Sequence, residues 1–206
     1  LIDVTSGGIL VDGVNINTIE PETVRERIVG HPQFTFSNGA ATVRKNIDPF
    51  DSFSDDAIRQ ALSRVAAGSY MCDDVMSKLE NKWDECGFAA GWQQRIGLAR
   101  TILRQSNVYV LDEPTSGYVL SSNRGVASFT NRHYRMDEES HSLVMEALFD
   151  ALADRTVLVV THLLLGIERF DTILVMSDGK LVESGRPSEL LLDPSTKLSK
   201  FSQAAS

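Results

Sequence analysis

Apolar residues recur along the chain with two different spacings, and the spacing assigns the elements. Val108, Tyr109, Val110 and Leu111 form an unbroken apolar run that stops at Asp112 and Glu113. A short run of this kind, rich in β-branched and aromatic residues, predicts a buried strand ending at a functional edge. A second β-branched run over residues 156–161 ends at His162, and residues 28–33 predict a brief strand halted by Pro32. Residues 8–16 predict two short strands around a turn at Asp12 and Gly13, and residues 172–182 a hairpin turning at Asp178 and Gly179. Helical spacing takes over between the strands. Pro21 and Glu22 open a short helix through Arg27. Residues 55–67 carry Ala57, Ile58, Ala61, Leu62 and Val65 on one face, and a weaker helix covers about 70–79. Residues 91–104 align Trp92, Ile96, Ala99 and Leu103, with Leu98 and Ile102 beside them. Ser140 is expected to cap a helix through Leu152 with Leu143, Ala147, Leu148 and Ala151 inward, and residues 188–192 form a last short helix. Residues 33–39, 85–90 and 118–135 have no period and read as loops, Asp48 and Pro49 break any helix, and the tail 194–206 is expected to fray. The helices within 50–90 form a small lobe beside a parallel α/β sheet.

Bulk composition narrows this picture. The 206 residues suit one domain, or one domain with a small lobe, and 42% apolar with 23% charged residues is ordinary for a globular protein. A net charge of −8 argues against a generic nucleic-acid or anionic-lipid surface. Cys72 and Cys86 stand apart, with neither CxxC spacing nor clustered histidines, which disfavours zinc and disulfides. No apolar run approaches the length of a membrane span and no signal peptide is visible. The chain opens on Leu1 in mid-pattern and is expected to be a piece of a longer polypeptide.

Candidate chemistry gathers at the strand ends. In an open parallel sheet, ligands sit at the carboxyl ends of the strands. Two adjacent acids there suit a metal ion at Asp112 and an activated water at Glu113, although the pair alone fits equally a strand meeting a solvated turn. His162 taken alone reads as a strand-end histidine bonded to backbone, and Gln33 as an exposed loop amide. His31 reads as structural, and Arg44 and Lys45 as a solvated face.

The ordered set of motifs is more specific than any one of them. Gly8-Ile-Leu-Val-Asp-Gly-Val-Asn-Ile16, Thr42-Val-Arg-Lys-Asn-Ile-Asp-Pro-Phe50, Gly91-Trp-Gln-Gln-Arg-Ile-Gly-Leu-Ala-Arg100, Leu111-Asp-Glu-Pro-Thr-Ser116, Val159-Val-Thr-His162 and Ser177-Asp-Gly-Lys-Leu-Val-Glu-Ser-Gly185 follow one another in this order. The chain resembles the nucleotide-binding domain of an ABC transporter, most closely the second such domain of the multidrug-resistance-associated subfamily, fungal members above all. The resemblance implies a P-loop NTPase-like three-layer α/β sandwich with a small helical lobe, lacking its first strands and its phosphate loop. It implies ATP and Mg²⁺ as ligands. Asp112 becomes the Walker B ligand of Mg²⁺, Glu113 the general base and His162 the switch histidine at the γ-phosphate. Gln33 becomes the Q-loop glutamine, reaching the metal or the water. A second nucleotide-binding domain and transmembrane domains, met through the Q-loop and the lobe, become the partners at the cytoplasmic face of a membrane. No nucleic acid is implied.

Three departures qualify the resemblance. The family's Leu-Ser-Gly-Gly-Gln signature aligns with Phe88, Ala89, Ala90, Gly91 and Trp92. Ala89 has no hydroxyl for a phosphate and Ala90 narrows the backbone approach, so nucleotide binding by Ala89, Ala90, Gly91 and Trp92 is expected to be weak. No GxxxxGK[ST] phosphate loop occurs in the chain; in the family it lies just upstream of Leu1. The family's Thr-Ser-Gly-x-Asp sequence is split here by residues 118–135, which displace Asp137. Those 18 residues can be back-translated into an in-frame fungal intron, with donor, branch-point and acceptor sequences, and are expected to be a processing artefact. The expected function is ATP hydrolysis coupled to export by the intact parent, with this piece alone inactive. The alternative is a truncated, non-catalytic fragment acting as an interaction module.

Overall fold

The computed structural model describes residues 5–66, 70–115 and 138–205. Two compact units make up the chain, 1–160 and 161–206.

In the first unit, β1 (Leu10–Val11) and β2 (Val14–Asn15) pair antiparallel. Asp12 and Gly13 between them have φ of 50° and 79°, the left-handed pair that a two-residue hairpin turn requires. Helix α1 (Pro21–Arg27) starts with proline, carries Glu22 in its first turn and Arg25 and Arg27 in its last, all favourable to the helix dipole. Strand β3 (Ile28–His31) follows directly. Helix α2 (Val43–Ile47) is capped by the Thr42 hydroxyl, which accepts the Lys45 N–H at 3.2 Å, and stops ahead of Asp48 and Pro49. Helix α3 (Asp55–Val65) is capped in the same way by Ser54 and buries Ile58, Ala61, Leu62 and Val65. Helix α4 (Met71–Ser77) buries Met71 and Val75.

Two expectations change after this point. Residues 83–86 form a short helix, α5 (Trp83–Cys86), where a loop was expected from residue 85; buried Trp83 anchors it and Gly87, at φ 62°, ends it. Helix α6 (Ala90–Leu103) buries Ile96, Leu98, Ala99 and Leu103, and β4 (Val108–Asp112) follows. Helix α7 (Glu138–Ala151) then begins ahead of Ser140, which lies within the helix rather than at its cap. Its buried face carries Val144, Met145 and Leu148, while Leu143 is exposed. Leu143 and Val144 are both apolar, so the pattern tolerates either phase, and the structure buries Val144.

Strands β3, β4 and β5 (Thr156–Val160) form a parallel sheet in that order, with Val29 opposite Tyr109 and Leu111 opposite Val159. Helix α6 enters β4 and α7 links β4 to β5, the helix-linked connection that parallel strands need. The class is mixed α/β, as expected.

The second unit pairs β6 (Ile173–Ser177) with β7 (Lys180–Gly185) across Asp178 and Gly179, followed by α8 (Pro187–Leu192) and α9 (Lys197–Ala205). Ile167, Val175 and Leu198 form its core, lined by Phe170, Ile173 and Leu190. The tail expected to fray is therefore a docked helix. Its start is held by the Thr196 hydroxyl, which accepts the Ser199 N–H at 3.1 Å, and by the Glu183 carboxylate on the Lys197 and Leu198 N–H groups.

Candidate functional site

The carboxyl edge of the parallel sheet is where the chain changes conformation. Asp112 is the last residue of β4 and is exposed. Glu113 then turns to φ 45°, a left-handed conformation costing a residue with a β-carbon about 1–2 kcal/mol. The surroundings hold the turn from both sides. The Glu113 N–H donates to the Val160 carbonyl at 2.8 Å, and the buried Gln94 amide donates from Nε2 to the Pro114 carbonyl at 2.9 Å.

Gln33 reaches the same place from the end of β3. Its Nε2 donates to Oε2 of Glu113 at 3.0 Å, joining residues 80 apart in sequence. Because Nε2 is committed to Glu113, Oε1 remains as the accepting atom of the amide. The loop behind Gln33 is tied down along its length. Thr35 packs against Gly97 of α6, where a β-carbon would lie 2.5 Å from Thr35 Cγ2. Arg100 donates from Nη2 to the Phe36 carbonyl at 3.1 Å. The buried Asn46 amide pairs with the whole peptide edge of Asn38: Oδ1 accepts its N–H at 2.7 Å and Nδ2 donates to its carbonyl at 3.0 Å.

His31, one strand position before this loop, is buried. The Thr101 hydroxyl gives its proton to the Gly97 carbonyl at 3.1 Å, so at 3.0 Å it accepts from Nδ1 of His31. That fixes the Nδ1–H tautomer and leaves Nε2 buried without a hydrogen-bonding partner. Burial first, and the nearby Arg100 guanidinium second, lower its pKa to about 4.

The remaining candidates lie on other elements. Ala89 and Ala90 begin α6 with no side-chain cap; the Ala89 carbonyl accepts the N–H groups of Trp92 at 2.9 Å and Gln93 at 3.0 Å. Gly91 and Trp92 continue the first turn. Trp92 meets Tyr70 edge-on at 5.3 Å between centroids and Phe88 at 6.1 Å, and Phe88 in turn meets Trp83 at 5.3 Å. The indole thus belongs to an aromatic cluster at the helix start. Arg44, expected on a solvated face, is largely covered and pairs with Asp55 and Glu80. His162 is exposed, two residues past β5, in the second unit. Asp137 and the stretch 118–135 lie outside the described residues.

The family profile described as "ABC transporter" matches residues 1–116, more than half of the chain. The chain belongs to the ABC transporter family. It is 34% identical over 195 residues to the ABC transporter atnG of Emericella nidulans, covering 95% of this chain and 11% of that protein. It is 30% identical over 198 residues to ATP-binding cassette sub-family C member 2 of Homo sapiens, covering 94% of this chain and 11% of that one. The chain therefore spans 11% of the length of either relative. Its fold matches a bacterial Atm1-family ABC exporter solved with ATP bound, with a TM-score of 0.79 over 99% of this chain and 33% of that one, at 21% identity. The likeness establishes the ABC ATPase fold, a P-loop NTPase-like α/β core.

Within this ABC domain the donor chemistry fits a hard cation only in part. Asp112 and the Gln33 Oε1 atom are oxygen donors of the type Mg²⁺ takes. Among the described residues no three His, Cys, Asp or Glu side chains gather into a metal cage. Three further side chains, given no role from the sequence, hold main-chain groups of the segments that carry the site residues: Gln94 on Pro114, Arg100 on Phe36 and Asn46 on Asn38.

Proposed function

We propose that this chain is the ATP-binding and ATP-hydrolysing part of an ABC transporter, coupling hydrolysis to export of a substrate across a membrane. The observation that carries the reading is the Gln33–Glu113 hydrogen bond at the carboxyl edge of the sheet. In an ATPase of this fold the side chains divide the work by chemistry. The Glu113 carboxylate accepts the proton of the attacking water, which requires it to be aimed and ionised. Gln33 fixes its direction. Asp112, with Gln33 Oε1, would hold Mg²⁺, which when bound offsets the negative charge of the phosphates. His162 donates to the γ-phosphate as charge builds there. Gly91 and the start of α6 face the phosphate of a second nucleotide-binding domain, weakly, because Ala89 brings no hydroxyl.

The loop 33–39 and the helices between 50 and 90 contact the transmembrane domains at the cytoplasmic face. Asp137 serves the contact between the two nucleotide-binding domains once residues 118–135 are removed. That stretch being an insertion is supported by the family match, which stops at residue 116.

The test uses the intact polypeptide that carries this domain, purified in detergent. Glu113→Gln should lower the ATPase rate at least 100-fold, the scale of a lost general base, while MgATP binding persists. A variant within twofold of the wild-type rate would refute the assignment.

A further inference from the structure

Gln94 lies within the Gly91–Arg100 motif but is given no role there, yet it is the side chain that holds the residue following Glu113. It lies in the second turn of α6 and is 5% exposed. Only its donor is used: Nε2 bonds the Pro114 carbonyl at 2.9 Å, whereas Oε1 is buried with no partner. The one atom of the amide that is used is therefore the one that meets the turn after Glu113. Glu113 is held at φ 45°, and a strained residue keeps such a conformation only when its neighbours over-determine it. Upstream, the Glu113 N–H is fixed by Val160. Downstream, proline has no N–H, so past the carbonyl of Glu113 itself the Pro114 carbonyl is the next main-chain group by which the turn can be gripped, and Gln94 grips it.

We propose that Gln94 is a positioning residue for ATP hydrolysis: its Nε2–H bond to the Pro114 carbonyl holds the left-handed turn that aims the Glu113 carboxylate at Gln33. The proposal rests on Glu113 being the general base. It gives α6, which begins at the signature segment, a direct tie to the main chain beside that base.

The experiment measures steady-state ATP hydrolysis by the intact polypeptide between pH 6 and 8.5, for wild type, Gln94→Met and Gln94→Glu, each rate divided by wild type at the same pH. Gln94→Met is expected to lower kcat about tenfold with the KM for MgATP within twofold, which separates aim from folding and binding. Gln94→Glu presents an ionised acceptor to a carbonyl at high pH. Once protonated it can donate, so its relative kcat should rise at least threefold as the pH falls from 8.5 to 6. Gln203→Glu, at an exposed position of α9, provides the comparison; its relative rate should not rise toward acid. Should Gln94→Met fail to fold, the pH dependence of Gln94→Glu decides. A Gln94→Met kcat within twofold of wild type, or a flat relative profile for Gln94→Glu, overturns the inference alone. A wild-type polypeptide that binds MgATP without hydrolysing it overturns the functional reading and this inference with it.

Discussion

His31 carries its imidazole where a charge has nowhere to go. Its Nδ1–H is spent on Thr101, its Nε2 is buried and unpartnered, and the Arg100 guanidinium stands nearby. Protonation would create a buried, unbonded N–H beside a positive charge, so the ring stays neutral until about pH 4. In the unfolded chain the same ring takes up its proton near pH 6.5. The folded pKa is thus the lower one. The stabilisation is complete above pH 6.5 and is lost as the pH falls toward 4, a change of about 3 kcal/mol across that window. Urea unfolding at a series of pH values should show this acid limb in the wild type, and His31→Leu should flatten it. Parallel limbs for the two proteins would place the lost stability at other groups.

At the scale of elements, the loop 33–39 and helix α6 are fitted to each other at one point, Gly97 against Thr35. A β-carbon at residue 97 would lie 2.5 Å from Thr35 Cγ2 and 2.7 Å from its Oγ1, closer than packed atoms allow. In an exposed helix, glycine to alanine stabilises by up to about 1 kcal/mol. Here the clash reverses the sign, and Gly97→Ala should destabilise by about 1–3 kcal/mol. In a Thr35→Ala background the collision is relieved, and the same change should become neutral or stabilising. A double-mutant cycle by denaturant unfolding reads the coupling directly; additive effects would mean that the loop does not lie on the helix. This contact also marks what sequence can and cannot convey. The strands, α1, α3 and α6 were legible because each follows one hydrophobic period with its own start and stop residues. Gln33 and Glu113 were legible through motif order, and the structure joins them. The phase of α7 was not, since neighbouring Leu143 and Val144 both satisfy the period. Helix α5, four residues long, is too short to show one. Helix α9 was hidden because its start is held by Glu183, a residue on the preceding hairpin. Gln94 and Asn46 were silent for the same reason: a buried amide is identified by the carbonyl it meets, and that partner lies 20 or 8 residues away.

Scaled up to the whole molecule, the parts that would grip a triphosphate are unevenly represented. The chain holds the residues proposed to aim the water and to bind the cation, but no phosphate loop occurs in its sequence. That loop supplies backbone N–H groups, a lysine and a hydroxyl to the phosphates, and each charge-assisted hydrogen bond contributes about 1.5–3 kcal/mol. A micromolar ligand is bound by about 8 kcal/mol, so the loss of three such contacts moves the dissociation constant into the millimolar range or beyond. Among the described residues β5 pairs only with β4, and its Leu158 and Val160 are 49% and 51% exposed, although parallel strands are ordinarily covered on both faces. Isothermal titration of the 206-residue chain with MgATP should therefore give no micromolar binding, and a version extended at its start by a phosphate loop should give it. Micromolar affinity in the shorter chain would mean that Asp112, Gln33 and the start of α6 hold the nucleotide by themselves, and that the cradle so far assigned to the phosphate loop is dispensable here.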